Sequence, residues 1–216
     1  MRRLTVLRAV PEFARGMPRD LRVRWALREA GLDYEEWVVD RAELGTPTFR
    51  RYQPFGQMPV YQEDGLTLFE SGAIVLHIAE TDEALLPRDL AGRAETFTWM
   101  FAALNTVEPP VRTLAEIDFV MTDENERRRR RPEAEQRVRT RFAEVDAVLA
   151  DREFLCARFS AADILMVTVL RIVAQAGLEA DLPALVAYRA RCEARPAFQR
   201  ALQEQIATFD RHAASE

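Results

Sequence analysis

In the first eighty residues, short runs of apolar and β-branched residues alternate with segments whose apolar positions recur at helical spacing. Four runs predict strands, at residues 4–7, 34–39, 59–62 and 66–69. Apolar positions three and four residues apart predict helices over 18–30 and 71–80. The acidic and glycine residues at 63–65 are typical of a hairpin turn. This order predicts one α/β domain of the thioredoxin-like type over 1–80.

From residue 91 onward the apolar pattern is helical throughout. After a polar stretch at 81–90, which we interpret as a linker, helices are predicted at 91–108, 124–149, 161–176, 183–194 and 196–209. Pro109 and Pro110 are expected to break or kink the first of them, because proline has no N–H to donate inside a helix. The sequence therefore predicts an all-α domain over 91–216.

Composition narrows the class of protein. The chain has 216 residues, and 48% of them are apolar, which suits two small packed domains. Its only cysteines, Cys156 and Cys192, are too few for a disulfide framework, so we expect a reducing, cytoplasmic setting. The net charge of -5 argues against nucleic acid as the main partner. No run approaches the roughly 18 apolar residues of a membrane span, so we expect no membrane association.

Four segments carry a specific resemblance. They are PFGQMPV at 54–60, LFESGAI at 68–74, FSAADI at 159–164 and VRWALREAGLDYE at 23–35. In order, spacing and residue type they resemble the glutathione S-transferase family. The resemblance spans most of the chain. It implies a thioredoxin-like domain that binds glutathione and an all-α domain that shapes a pocket for a second substrate.

The resemblance also implies roles for the glutathione-binding residues. A cis bond before Pro59 would let the main chain of Met58 pair with the cysteinyl unit as one more β-strand. Ser71 and its helix N-terminus would receive the γ-glutamyl carboxylate, and Glu70 the ammonium group. Gln57 is the candidate for the glycyl end. Taken singly, these residues are also compatible with a helix cap, an ordinary turn and an exposed loop position.

A second matching motif has a structural interpretation. Ser160 and Asp163 stand three residues apart before an apolar run, which is the spacing of a reciprocal N-capping box. The resemblance places the same box at the start of the buried helix of the C-terminal domain. We expect the pair to start a helix and to take no part in catalysis.

The chain departs from the family at the residue that stabilises or replaces the thiolate, which is usually Tyr, Ser or Cys. Arg8 follows the first strand where a tyrosine is expected. Met17, Arg19 and Asp20 occupy the positions of the cysteine and serine subclasses. None of these side chains is a hydroxyl or a thiol, so the usual catalytic residue cannot be carried over.

Another source of thiolate stabilisation is then required. The pKa of a free thiol is near 8.5 and must fall by about two units for the thiol to be ionised at neutral pH. This shift requires about 2.7 kcal/mol of stabilisation of the thiolate relative to the thiol. The N-terminus of the first helix, with the guanidinium of Arg15 or Arg19, is our candidate catalytic group. The alternative is that both are solvated loop arginines. Asp20 would oppose the thiolate, so we expect it to cap the helix or to pair with Arg15, Arg19 or Arg24.

The second-substrate pocket is predicted from apolar residues in two places. Phe13 and Met17 lie in the loop after the first strand, and Trp99, Phe101 and Asn105 lie on the first helix of the second domain. Such a pocket favours small hydrophobic electrophiles.

The leading hypothesis is an enzyme in which the glutathione thiolate attacks such an electrophile, with detoxification as the implied role. The alternatives are a glutathione-dependent peroxidase or isomerase, and a non-catalytic glutathione- or ligand-binding protein of the same fold. Five consecutive arginines at 127–131 invite a nucleic-acid interpretation, but they sweep around a helix and have acidic neighbours. His77 and His212 are too isolated for a metal site. We expect glutathione as co-substrate, no metal, and a homodimer.

Overall fold

A computed structural model describes residues 1–213 of the chain. It divides into two compact units, Met1–Leu85 with the chain from Arg195 onward, and Leu86–Ala194. The first unit contains a four-stranded sheet of order β2-β1-β3-β4. Its strands are β1 (Arg2–Leu7), β2 (Glu35–Val39), β3 (Val60–Glu63) and β4 (Leu66–Phe69). β1 pairs parallel with β2 and antiparallel with β3, and β3 pairs antiparallel with β4.

The described residues also form eight α-helices. They are α1 (Asp20–Glu29), α2 (Ser71–Ala79), α3 (Leu90–Phe101), α4 (Glu108–Phe119), α5 (Glu124–Leu149), α6 (Ala161–Arg171), α7 (Pro183–Glu193) and α8 (Pro196–Ala213). None of these helices has the length and apolar character needed to cross a membrane. The predicted combination of a thioredoxin-like sheet domain with an all-α remainder is confirmed.

The core of the first unit joins the sheet to helices from both ends of the chain. Leu7, Val39, Phe49 and Val60 pack in one buried cluster with Phe209 of α8. Trp25 of α1 meets Phe198 of α8 edge to face, with ring centroids 4.8 Å apart.

These contacts differ from the expected division into 1–80, 81–90 and 91–216 in one main respect. The last helix packs on α1 and groups with the sheet instead of with the other helices. The pattern predicted the helix itself, but an amphipathic pattern does not identify the element on which its apolar face packs.

The second unit is built around α6, whose residues from Ala161 to Leu170 are all buried. The long helix α5 buries a stripe at helical spacing, formed by Ala134, Val138, Phe142, Val145 and Leu149. Pro132 also lies inside α5, two residues before Ala134, where this stripe begins. The helix continues through the proline.

Pro109 and Pro110, which were expected to break or kink the first helix of this unit, do not break it. A π-helical segment, Ala102–Val107, leads from α3 directly into α4. Both prolines lie in the first turn of α4, where the fixed φ of proline suits a helix. The sequence pattern therefore missed a helix that the prolines begin.

Ser160 and Asp163 form a reciprocal capping box at the start of α6. The Asp163 carboxylate accepts hydrogen bonds from the N–H of Ser160 at 2.8 Å, the N–H of Leu155 at 3.0 Å and the hydroxyl of Tyr188 at 2.8 Å. Burial raises the pKa of Asp163 above its ordinary value, and these hydrogen bonds oppose that rise. The pair thus joins the start of α6 to the preceding loop and to α7.

Replacing this carboxylate should destabilise the whole chain. Asp163→Ala leaves the Ser160 and Leu155 N–H groups and the Tyr188 hydroxyl buried without their acceptor, so we expect the free energy of unfolding to fall by about 3 kcal/mol or more. Urea denaturation measures it, with Asp151→Ala at an exposed position as the control. A loss below about 1 kcal/mol, similar to the control, would contradict the role.

Candidate functional site

The segment around Met58 and Pro59 is tied to the centre of the sheet. The Met58–Pro59 peptide bond is cis. The next residue, Val60, donates its N–H to the buried hydroxyl of Thr5 on β1 at 2.6 Å. Pro59 is buried, and the Met58 side chain packs against the core cluster that contains Phe209. Among the described residues, the main chain of Met58 takes part in no hydrogen bond, so its N–H and C=O remain available to a ligand.

The loop before this segment is fixed by a buried glutamine. The side-chain oxygen of Gln53 accepts the N–H of Gln57 at 3.1 Å, which sets the Gln57 main chain and leaves its side chain exposed. Gly56 has a positive φ of 65°, and a Cβ there would lie 2.8 Å from the Leu44 carbonyl oxygen. Only glycine therefore fits at this position without moving the loop.

The start of α2 contains the predicted acidic and serine pair. Glu70 is exposed and adopts φ 67° and ψ 110°, a conformation that costs a non-glycine residue about 1–3 kcal/mol. Its side chain makes no capping hydrogen bond to α2. Within the described part of the chain, the N–H groups of Ser71, Gly72 and Ala73 donate to no acceptor. A helix cap therefore does not account for Glu70 and Ser71, and the first turn of α2 is open to an anion.

Arg22 is a site residue that the sequence reasoning missed. Its side chain is only 2% exposed, and its Nη1 donates to the Ser71 hydroxyl at 3.1 Å. This places a buried guanidinium behind the first turn of α2. A helical wheel would have indicated it, because Arg22 lies three and four residues before the buried Trp25 and Ala26 and so shares their face.

The two arginines predicted to assist the thiolate differ in their surroundings. Arg15 is not a solvated loop residue, because its guanidinium pairs with Glu12 and with Asp210 of α8, each at 2.8 Å. Arg19 is partly buried at the N-cap position of α1, and its side chain makes no capping hydrogen bond. Arg8, which stands where a tyrosine is usual in the family, is paired with Asp40 at 2.8 Å.

The expected pairing of Asp20 with Arg24 is confirmed. The carboxylate of Asp20 lies 2.8 Å from the Nε of Arg24, and both side chains are buried. Burial raises the pKa of Asp20, and the charge of Arg24 opposes this rise. The acidic residue at the start of α1 is therefore engaged inside the protein.

The residues of the predicted second-substrate pocket belong to both units. In the first unit, Phe13 is 42% exposed and Met17 is partly buried. In the helical unit, Phe101 is 64% exposed, Trp99 is partly buried, and Asn105 is exposed within the π-helical segment. Each unit thus presents apolar surface at these positions, and the pocket itself stays a prediction.

The arginine run at 127–131 lies on α5 and is paired along the helix. Its five members lie within 4.0 Å of Glu124, Glu126, Asp118 or Glu135. Residues 1–213 contain no group of three or more His, Cys, Asp or Glu side chains arranged to hold a metal ion.

Comparison with protein-family models gives two matches. The model of the glutathione S-transferase N-terminal domain matches residues 13–80, and that of the C-terminal domain matches residues 110–196. Among curated proteins, a glutathione S-transferase from Xanthomonas campestris is 29% identical over 184 residues, which cover 83% of this chain and 90% of the relative.

Other curated relatives match over a shorter stretch. A glutathione S-transferase from Dianthus caryophyllus is 32% identical over 46% of each chain. A disulfide-bond oxidoreductase from Escherichia coli is 35% identical over 43% of this chain and 47% of its own length. The alignments thus span about half the length of these two relatives.

Solved structures extend the similarity over nearly the whole fold. A glutathione transferase from Burkholderia graminis, with two glutathione molecules bound per subunit, has a TM-score of 0.81 and 28% identity, covering 93% of this chain and 87% of that one. A family member from Pseudomonas fluorescens, also with two glutathione bound, has a TM-score of 0.82 and 26% identity, covering 93% and 92%.

Proposed function

The chain belongs to the glutathione S-transferase family, and from that premise we propose that it is a glutathione transferase whose bound thiolate attacks a small hydrophobic electrophile. The observation that carries the proposal is the pair of unoccupied hydrogen-bonding positions on the first unit. One is the main chain of Met58 beside the cis bond to Pro59, and the other is the open first turn of α2 at Ser71.

These positions suit the two ends of one peptide-like ligand. The Met58 main chain pairs with the cysteinyl unit as an added strand. The first turn of α2 receives the γ-glutamyl carboxylate, with a hydrogen bond from Ser71 and Glu70 beside the ammonium group. Gln57 binds the glycyl end. The buried Arg22 adds positive charge to the carboxylate subsite and orients the Ser71 hydroxyl.

Activation of the thiol is assigned to the N-terminus of α1 and to arginine. Arg15 and Arg19 are both candidates, and the two carboxylates that pair with Arg15 reduce the net positive charge that it can offer the thiolate. The proposed contacts of the electrophile are Phe13 and Met17 of one unit and Trp99, Phe101 and Asn105 of the other. The proposed protein is a cytoplasmic, metal-free homodimer with a role in detoxification.

Disulfide reduction is a second candidate function. The relative from Escherichia coli is named a disulfide-bond oxidoreductase, and two similar structures hold two glutathione molecules. Two glutathione thiols supply the two electrons and two protons that convert one disulfide into two thiols, leaving glutathione disulfide. This reaction needs no protein thiol, which agrees with the two cysteines being buried in the helical unit.

Calorimetric titration with glutathione tests the binding site. We expect saturable binding, and Ser71→Ala should weaken it about tenfold because a hydrogen bond to a charged group is lost. Thr140→Ala, at an exposed position on α5, is the control and should leave the Kd unchanged. Conjugation, peroxidase and disulfide-reduction assays then separate the reactions. Absence of binding would refute the proposal, and binding without turnover in every assay would instead support a non-catalytic glutathione-binding protein.

Arg22→Met tests the buried guanidinium. The Ser71 hydroxyl loses its donor and the carboxylate subsite loses a charge, so we expect the Kd for glutathione to rise about fivefold or more. Arg128→Met on α5, which is 73% exposed, removes the same net charge far along the sequence and should have no effect. Equal affinities for the two variants, with both folded by circular dichroism, would exclude the role.

Arg15→Ala and Arg19→Ala test thiol activation. We expect the pKa of the bound thiol, measured by ultraviolet difference absorbance of the thiolate, to rise by about half a unit or more in at least one of the two variants. A thiol pKa unchanged in both variants would assign activation to the helix N-terminus without either side chain.

A further inference from the structure

Helix α8 contacts three parts of the thiol site that the proposed function assigns to the first unit. Asp210 pairs with Arg15 at 2.8 Å. Gln205 reaches the segment that begins α1. Phe209 belongs to the core cluster against which Met58 packs. Helix α8 therefore contacts the loop that contains Arg15, the start of α1 and the core cluster beside Met58.

Gln205 makes the most specific of these contacts. Its side chain is 0% exposed, and its Nε2 donates to the Pro18 carbonyl oxygen at 3.3 Å and to the Asp20 carboxylate at 2.9 Å. Both partners are acceptors, so the amide nitrogen must face them. The amide oxygen has no hydrogen-bond partner among the described residues. A buried acceptor without a donor lowers stability, so an apolar side chain would serve packing better than this amide does.

The acceptor Asp20 belongs to a buried network that fixes the first turn of α1. Its second oxygen lies 2.8 Å from the Nε of Arg24. Arg24 in turn donates to Tyr34 at 2.9 Å, to Glu36 at 2.6 Å and to Thr208 of α8 at 3.3 Å. Glu204 of α8 accepts from Tyr34, and Arg211 of α8 donates to Glu36. Arg24 is thus the charged group that faces Asp20 directly, and the other partners of Arg24 lie at Tyr34, on β2 and on α8.

We propose that Gln205 is a positioning residue for the glutathione thiol, acting through Pro18 and Asp20. Its amide holds the Pro18 carbonyl and keeps the Asp20 carboxylate in its pairing with Arg24. Without it, the buried negative charge of Asp20 loses one of its donors, and the start of α1 loses one of its links to α8. Both changes make the positive end of α1 less favourable for a thiolate. This inference rests on the proposed glutathione transferase function.

Gln205→Leu in the full chain tests the inference, with Gln203→Leu on the exposed face of α8 as the matched control. We expect the pKa of the bound thiol to rise by about half to one unit in Gln205→Leu, and kcat/KM at pH 7 to fall by roughly 1.5- to threefold because the thiolate fraction falls. The Kd for glutathione should change by less than about twofold, because Ser71 and Met58 are untouched. The control should match the wild type in all three measurements.

The outcomes separate this inference from the proposed function. If the wild-type protein does not bind glutathione, the proposed function fails and the inference fails with it. If the wild type binds and ionises glutathione, and Gln205→Leu has the same thiol pKa, the inference alone is overturned. A general loss of stability would weaken binding without moving the thiol pKa, and this result also counts against positioning. Should Gln205→Leu not fold, Gln205→Asn shortens the amide by one methylene and is held to the same criteria.

Discussion

The burial of α1 is the constraint on which the first unit depends. Every residue from Asp20 to Leu27 is buried, although three of these carry full charges. A polar group without water must find a partner inside the protein, and each charged side chain of α1 finds one on a different element. Arg22 reaches α2, while Arg24 and Asp20 reach β2 and α8. The hydrogen-bonding needs of one helix therefore connect the start of α2, the sheet and the C-terminal helix.

We propose that the same constraint takes the place of a catalytic hydroxyl. In the proposed mechanism the field at the start of α1 replaces a single side chain, so its strength depends on how firmly that turn is held and how well the adjacent negative charge is compensated. The Asp20 carboxylate pairs with Arg24 and accepts a hydrogen bond from Gln205. Arg15 pairs with Glu12 and Asp210. Thiol activation is then a property of the network and not of one residue.

Local pattern was sufficient for much of the fold. The β4 strand and the α5 helix have the predicted bounds, and the segments at 54–60 and 68–74 led to the cis bond and the open turn of α2. It failed where a residue type has two meanings. Pro109 and Pro110 were interpreted as helix breakers, yet they begin α4. It also missed the partners of Arg22 and Gln205, because those contacts span 49 and 185 residues of sequence, which no local spacing encodes.

The first unit is discontinuous in the chain, because the helical unit Leu86–Ala194 is inserted between α2 and α8. During synthesis the sheet, α1 and α2 leave the ribosome before the helical unit, while the residues that complete the polar network of α1 leave only after it. Arg24 and Asp20 therefore lack their α8 partners, Thr208 and Gln205, until α8 packs on α1. Since domains otherwise fold in the order in which they are made, we expect the proposed thiol site to be among the last parts of this protein to form.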